Sequence, residues 1–188
     1  MAVREPEVRA EPKGAETGGR VVLAEEFARD FADRWQVAWN TRRPEAVTDL
    51  CTDDVVWDDP VTEQPERGKA SVSAYLESVW RTFPDLEFTW PEGPYCSFDG
   101  TKLACHWRVT GTMLGPVDPG FAPTGRPVKA DGVDLLELRD GLVCNYAGFF
   151  DGRGMAQQIG VLPPSGSRAE RLAVRLQRLG VRLGRRGK

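Results

Sequence analysis

Apolar side chains recur every three or four residues in two separate stretches, and this spacing predicts two long amphipathic helices. The first stretch runs from Val22 to Asn40, and the second from Lys69 to Phe83, where Pro84 interrupts the pattern. Pro44 suits the first turn of a helix, so a short helix is predicted to run from there to about Cys51. The folded part of the chain therefore opens with helices that bury one face.

The pattern then changes to the alternation of apolar and polar residues that is typical of strands. Val55–Trp57 is predicted as a short strand that must end at Asp59, because Pro60 cannot donate to a strand ladder. Gly141, which is free to adopt a positive φ, marks a hairpin turn at residues 139–141. Four further strands are predicted at residues 86–90, 102–113, 128–138 and 142–150. Helices followed by antiparallel strands predict the α+β class.

The length of 188 residues, 40% of them hydrophobic, corresponds to one globular domain with tails. Residues 1–20 carry almost no large apolar side chain and are predicted to be a disordered arm, and residues 21–162 form the domain. Residues 163–188 are predicted as a linker followed by a basic amphipathic helix of about 17 residues with leucines spaced by four, three and four. Because no apolar run has the length of a membrane span or a signal peptide, a cytoplasmic protein is expected.

Charge is distributed unevenly along the chain. Residues 165–188 contain eight basic residues against Glu170 alone, a charge of +7, which leaves −10 for the rest of a chain whose net charge is −3. An acidic domain is a poor ligand for nucleic acid, so no nucleic-acid partner is expected. The basic tail suits an anionic membrane surface, a protein partner or the acidic body of its own dimer.

The cysteine and histidine content excludes several kinds of site. The four cysteines form no CxxC pair, and with a single histidine neither a zinc site nor a Ser-His-Asp arrangement is expected. The cysteines are predicted to be free buried thiols in a reducing compartment, and His106 to be structural. No metal and no organic cofactor are expected.

Three blocks of sequence carry a resemblance to a known family. They are TDDVVWDDPVTEQPERGKASVSAYLESVWRTFPD, HWRVTGTMLGPVDPGFAPTGRPVKADGVDLLELRDG and FFDGRGMAQQIG, within a span from about Phe27 to Val161. The sequence resembles the nuclear transport factor 2-like superfamily, in particular ketosteroid isomerases and SnoaL-like polyketide cyclases. The resemblance implies a conical half-barrel in which a curved, mostly antiparallel sheet wraps a long N-terminal helix around an apolar pocket. It also implies a homodimer.

The same resemblance implies candidate catalytic residues. In ketosteroid isomerases the aspartate before a proline is the general base, and this position is Asp59. A second aspartate, kept protonated to donate to an oxyanion, corresponds to Asp134; this isomerase is a worked example of a carboxylic acid held neutral by an apolar site. The family's tyrosine donor on the first helix is replaced by Trp35, whose indole can donate but cannot act as an acid.

Other positions depart from related enzymes. Gly148 stands where polyketide cyclases and limonene-type epoxide hydrolases carry an acidic residue, and Tyr146 stands where the cyclases carry a nearby histidine. Arg108 has no adjacent aspartate in the sequence to complete the epoxide hydrolase triad. These departures disfavour both chemistries.

Strand alternation indicates which side chains share a face. Asp59 lies on the face of Trp57, and Tyr146 lies on the face of Phe150. If these faces line one pocket together with Asp134 and Trp35, the pocket holds two carboxyl groups among aromatic rings. We expect the carboxyl groups to transfer a proton on a hydrophobic carbonyl ligand of steroid or polyketide type. Trp35, Trp57, Tyr146 and Phe150 are the predicted ligand contacts, together with Phe121 if the loop 115–127 is a lid rather than a plain connection.

The presence of Asp59, Asp134 and Tyr146 is also consistent with purely structural roles. Asp59 before Pro60 is equally suited to capping a turn, Asp134 to pairing with an arginine, and Tyr146 to a structural hydrogen bond. A non-catalytic binding or accessory protein on the same fold is therefore the alternative to an isomerase or cyclase.

Overall fold

The computed structural model of the protein describes residues 25–186, with side chains described for residues 25–182. The arm predicted as disordered, residues 1–20, and the predicted helix start at Val22 lie outside the described residues. The described helices are α1 (Glu25–Asn40), α2 (Pro44–Thr48), α3 (Gly68–Thr82), α4 (Gly152–Gln158) and α5 (Arg168–Arg186). The strands are β1 (Cys51–Asp58), β2 (Glu66–Arg67), β3 (Glu87–Cys96), β4 (Lys102–Thr112), β5 (Pro127–Arg139) and β6 (Leu142–Phe150).

A six-stranded curved sheet packs against the long helices α1 and α3. Its strand order is β2-β1-β6-β5-β4-β3, with β1 and β6 parallel and the other neighbours antiparallel. Helix α1 buries the stripe predicted from its spacing, including Phe31, Trp35 and Trp39, and packs on β3, while α3 packs on β1. This arrangement confirms the predicted α+β fold, an open cone of sheet around a long first helix.

The start of β1 differs from the prediction. Helix α2 ends at Thr48, and Cys51, predicted as its last residue, begins a strand that is longer than the predicted Val55–Trp57. The reason is tertiary: the Val143 amide donates to the Leu50 carbonyl (2.8 Å), and Cys51 pairs with Val143 on β6. Pairing with a distant strand overrides the local helical pattern here.

The third strand also extends beyond its predicted end at Trp90. It continues to Cys96 through Pro91 and Pro94, with irregular pairing on either side of Glu92. Because β3 is at the edge of the sheet, a proline in it leaves no inner ladder hydrogen bond unmade. The edge position therefore explains why the strand tolerates two prolines and runs past its predicted end.

The predicted hairpin turn is confirmed, whereas the predicted burial of the cysteines is confirmed only in part. The predicted hairpin turn is present, with Asp140 and Gly141 both at positive φ (54° and 78°). The prediction that all four thiols are buried is wrong for Cys96, which is exposed on the edge strand, and Cys144 is only partly buried, while Cys51 and Cys105 are buried. None of the described helices is both long and apolar enough to cross a membrane.

Candidate active site

A cavity of about 120 Å³ lies inside the cone, between the helices and the concave face of the sheet. Its wall is mostly aromatic and aliphatic, and its mouth includes the exposed side chain of Val61. The titratable groups on this wall are two aspartates and two tyrosines, namely Asp59, Asp134, Tyr75 and Tyr146. The structure thus places both predicted catalytic aspartates on one apolar cavity.

Asp134 receives three hydrogen bonds from aromatic side chains. Its Oδ1 accepts from the Trp107 indole (2.7 Å) and from the Tyr146 hydroxyl (2.9 Å), and its Oδ2 accepts from the Trp35 indole (3.1 Å). The carboxyl is 2% exposed, and no arginine or lysine of the described residues pairs with it. An indole N–H can only donate, so this arrangement favours the ionised carboxylate.

The pKa of Asp134 reflects two opposed effects. The pKa is raised from 3.8 to about 6 by all effects together. Burial raises it most, the three donors lower it, and the charge of Asp59 raises it. The three donors are arranged to stabilise a charged carboxylate, whereas the family resemblance implies a neutral hydrogen-bond donor at this position.

Two glycines make room for the groups that surround Asp134. Gly148 faces Asp134 across the β5–β6 ladder, and a Cβ at this glycine would stand 2.9 Å from the Tyr146 hydroxyl oxygen. Gly132 faces Trp107 across β4–β5, and a Cβ there would stand only 2.2 Å from the indole ring. The missing side chains let both donors cross the sheet face and reach the carboxylate.

Trp35 and Trp57 pack behind the side chains that line the cavity. Both are fully buried and neither lines the wall. The Trp57 ring stacks on Tyr146 with ring centroids 3.8 Å apart and planes inclined by 15°. These two predicted ligand contacts therefore hold Tyr146 and Asp134 in position, and Tyr146 and Phe150 are the predicted contacts that do line the cavity.

Asp59 combines a turn with a place on the cavity wall. Its Oδ1 accepts the Val61 amide (3.1 Å), and its backbone carbonyl accepts the Thr62 amide and hydroxyl (3.0 and 2.9 Å). The side chain is 5% exposed, and burial raises its pKa, while hydrogen bonds from Tyr75 and Val61 lower it. The neighbouring Asp58 points outward and is exposed, as strand alternation predicts.

Three aromatic residues that line the cavity and carry a polar side-chain atom were not among the predicted site residues. Tyr75 is on the buried stripe of α3 and bonds to Asp59, and Trp39 is one helical turn after Trp35. Trp107 lies on the inward face of β4 with Cys105 and Val109. Their burial could be predicted from their spacing, but an indole or phenol in a core pattern does not reveal that its polar atom meets a carboxylate.

The proline-rich loop does not bring Phe121 to the cavity. Phe121 is 43% exposed and is not among the lining residues. The loop is fixed at two points, where Thr82 Oγ1 donates to the Pro116 carbonyl (2.7 Å) and Thr124 Oγ1 donates to the Ile159 carbonyl (2.6 Å). The cavity end is instead covered by Met155 of the unpredicted helix α4.

A polar cluster on the outer face of the sheet accounts for the remaining candidates. Arg108 has no aspartate beside it in the sequence, but the neighbouring strand brings Asp131 to it, and the two form a salt bridge (2.8 Å) across β4–β5. His106 contacts Glu92 (3.1 Å) beside them. These side chains are partly exposed and do not line the cavity, which leaves its chemistry to the aspartates and tyrosines.

Fold and site together define a cone-shaped α+β protein with two buried aspartates in an apolar cavity. The model of the SnoaL-like domain family matches residues 28–146, and the chain belongs to this family. The match covers α1 from residue 28 onward, Asp59, and the Asp134–Tyr146 pair.

Solved structures share the fold over nearly their whole length. TsrD from Streptomyces laurentii has 21% identity and a TM-score of 0.63, covering 74% of this chain and 99% of its own. A protein assigned as a SnoaL-like polyketide cyclase from Jannaschia sp. CCS1 has 21% identity and a TM-score of 0.65, covering 80% and 100%. A ketosteroid isomerase-like protein from Catenulispora acidiphila, in complex with trimethylamine, has 16% identity and a TM-score of 0.60, covering 73% and 99%. No protein of curated function matches the chain significantly by sequence.

Proposed function

We propose that this protein is a cofactor-free acid/base enzyme that moves a proton on a hydrophobic carbonyl ligand, by abstraction of a proton next to the carbonyl. The observation that carries the proposal is the pairing of Asp59 and Asp134 on one apolar cavity, with different hydrogen bonds to each. Two carboxyl groups in different surroundings can take different roles in proton transfer. The SnoaL-like and ketosteroid isomerase-like fold supports a function of cyclase or isomerase type.

Asp59 is the general base in this proposal. It accepts one backbone amide and the Tyr75 hydroxyl, whereas both oxygens of Asp134 are held in place by three aromatic donors. Burial raises the pKa of Asp59, which brings a carboxylate base closer to neutral pH, where general bases are most effective. Asp134 then acts as the fixed anion that orients Tyr146 and Trp107.

Trp39 is the candidate donor to the developing negative charge on the ligand oxygen. It lines the cavity, is 4% exposed, and its Nε1 has no hydrogen-bond partner among the described residues. The tyrosine hydroxyls on the same wall are already engaged with the aspartates. A buried donor without a partner costs stability, and a ligand oxygen would satisfy it.

The proposed step balances without an oxidant or a metal. The C–H bond next to the carbonyl breaks, its proton moves to Asp59, and its electron pair forms an enolate whose oxygen accepts from Trp39. Asp59 then returns the proton to a different carbon and becomes a carboxylate again. Isomerisation of a β,γ-unsaturated ketone to its conjugated isomer is the simplest reaction of this kind, and we propose it ahead of cyclisation because Gly148 supplies no acid on β6.

The size of the cavity limits the part of the ligand that reacts. At about 120 Å³ it is smaller than the roughly 300–1,000 Å³ of sites that enclose drug-sized molecules, and close to the roughly 150 Å³ of a cavity that takes benzene. We therefore propose that a single ring enters between Trp39 and Asp134. The remainder of a larger steroid-like or polyketide-like ligand would lie at the mouth, against Val61, Phe150 and Met155.

The test compares two substrates and two variants. Purified protein is mixed with 3-cyclohexenone, which has one ring, and with a β,γ-unsaturated ketosteroid, and formation of the conjugated enone is followed by ultraviolet absorbance. Asp59→Asn is expected to lower turnover by a factor on the order of 10² or more, because an amide cannot take the proton. The matched control is Asp58→Asn, which removes an exposed carboxyl one residue away and should leave turnover unchanged.

A non-catalytic binding protein is the second candidate, and one observation favours it. The hydrogen bonds at Asp59 and Asp134 satisfy both carboxyls without any ligand. In that case neither substrate is converted, yet a single-ring ketone still changes the tryptophan fluorescence of the wild type. Equal turnover by the Asp59→Asn variant and the wild type would instead contradict the assignment of the base.

A further inference from the structure

Helix α5 presents two adjacent rows of side chains to solvent. At about 100° per residue, Leu172, Leu176 and Leu179 form one row along the helix. The arginines form the neighbouring row on one side, and alanines and glycines lie on the other side. These leucines are 57%, 60% and 53% exposed, which is unusual for three aligned apolar side chains.

In the part of the chain that the structure describes, the helix contacts the domain through its first turn. Ser167 Oγ accepts the Glu170 amide (3.1 Å), and Glu170 pairs with Arg153 of α4 (2.9 Å). Every residue from 171 to 182 is exposed, so nothing in the described part of this subunit covers the leucine row. The rigid start and open face present α5 to an external partner.

We propose that α5 binds the surface of a bilayer that contains anionic phospholipid. Such a surface offers acyl chains beside phosphates, which matches a leucine row beside an arginine row. Arg168, Arg175, Arg178 and Arg182 form no salt bridge among the described residues, so their charge is available to lipid. At about 1.5 Å per residue the 19-residue helix is about 28 Å long, enough to lie along the interface.

Charge and surface pattern favour lipid over a second copy of the chain. The −10 charge outside the tail would hold the domain itself away from an anionic surface, so that only the helix approaches. The acidic domain of another subunit would attract the arginines, but its exposed large apolar residues are scattered over separate elements, including Val37 on α1, Tyr95 on β3 and Phe149 on β6. No described helix or strand of the domain carries more than one of these side chains, so none of them presents a row that matches the leucines.

The helix itself provides a matched control. Val174 and Val181 lie on the side opposite the leucine row and are 42% and 44% exposed. Replacing them by serine removes apolar side chains from the same helix without touching the leucine row. A loss that follows from general helix destabilisation would appear in both pairs of variants.

The experiment is flotation of the full chain with vesicles of phosphatidylcholine alone or mixed with phosphatidylserine. We expect the wild type to float with the mixed vesicles and not with phosphatidylcholine alone, and raised salt to release it. Leu176→Ser with Leu179→Ser should reduce the floated fraction at least about tenfold, since both substitutions remove apolar area that the bilayer would bury. Val174→Ser with Val181→Ser should float like the wild type.

Three results would overturn the proposal. These are an absence of flotation with the mixed vesicles, equal flotation by the leucine and valine variants, or self-association in light scattering that the leucine variant abolishes while no form floats. The last result would assign α5 to a second copy of the chain. Flotation and light scattering do not depend on enone formation, so these experiments test the helix α5 proposal independently of the proposed enzymatic activity.

Discussion

The hydroxyl of Tyr146 reaches Asp134 through the space that Gly148 leaves beside it. Gly148 pairs with Asp134 across β5–β6, and Tyr146, two residues earlier on the same face, extends over the glycine to donate at 2.9 Å. The position where related cyclases carry an acid thus serves here to admit a phenol. The glycine at position 148 is therefore what allows the contact between Tyr146 and Asp134.

Gly148→Ala should therefore weaken the protein. The new Cβ would stand 2.9 Å from the Tyr146 hydroxyl oxygen, and displacing that group breaks its hydrogen bond to a buried carboxylate. We expect a loss of about 1–3 kcal/mol in the free energy of unfolding, measured by urea denaturation. Gly152→Ala, where the nearest atom would be 3.7 Å away, is the control and should change little.

Trp39→Phe tests the proposed oxyanion donor. Phenylalanine removes the unpartnered N–H together with part of a buried indole ring, so the free energy of unfolding should fall somewhat through lost packing, as it should in the control variant below. The kcat of enone formation should fall by a factor on the order of 10², with a smaller change in KM. Trp80→Phe removes another unpartnered indole N–H away from the cavity, and an equal loss in both variants would contradict the assignment.

Stability should depend on pH through Asp134. Its pKa in the folded protein is raised from 3.8 to about 6, so between these values the folded state binds more protons than the unfolded chain. The free energy of unfolding should therefore fall as pH rises from about 4 to about 6, by at most about 3 kcal/mol from this group. Burial raises the pKa of Asp59 as well, and its contribution has the same sign.

Urea denaturation at a series of pH values checks this dependence. Asp134→Asn replaces the titrating group by a neutral one and should flatten the fall between pH 4 and 6. Asp58→Asn, at an exposed position, should keep the slope of the wild type. A slope that is the same in all three proteins would show that Asp134 does not titrate in this range.

Removal of the C-terminal helix should leave the domain folded. A chain ending at Ser167 loses the exposed residues 171–182 and one surface ion pair, Arg153 with Glu170. Surface pairs of this kind contribute about 0–1 kcal/mol, so the free energy of unfolding should change by less than about 1 kcal/mol. A larger loss would mean that α5 packs on the domain in solution.

The agreement between sequence and structure is best where one local pattern decides the outcome. The spacing of Phe31, Trp35 and Trp39 gives helix α1 its buried stripe, and the Asp140-Gly141 turn joins β5 to β6. The prediction is poorest where a distant strand competes, as at Cys51, or where an edge position tolerates proline, as at Pro91 and Pro94. The expected homodimer stays a prediction.

By itself the sequence determined the α+β class, which follows from periodicities of 3.6 and 2. Its resemblance to a family, carried by three blocks of sequence, pointed to Asp59 and Asp134. Only the tertiary structure decided what those aspartates meet. The donors to Asp134 come from α1, β4 and β6, and they converge because glycines at 132 and 148 let aromatic rings cross the sheet. Such convergence depends on three-dimensional packing between elements far apart in the chain, which no local pattern records.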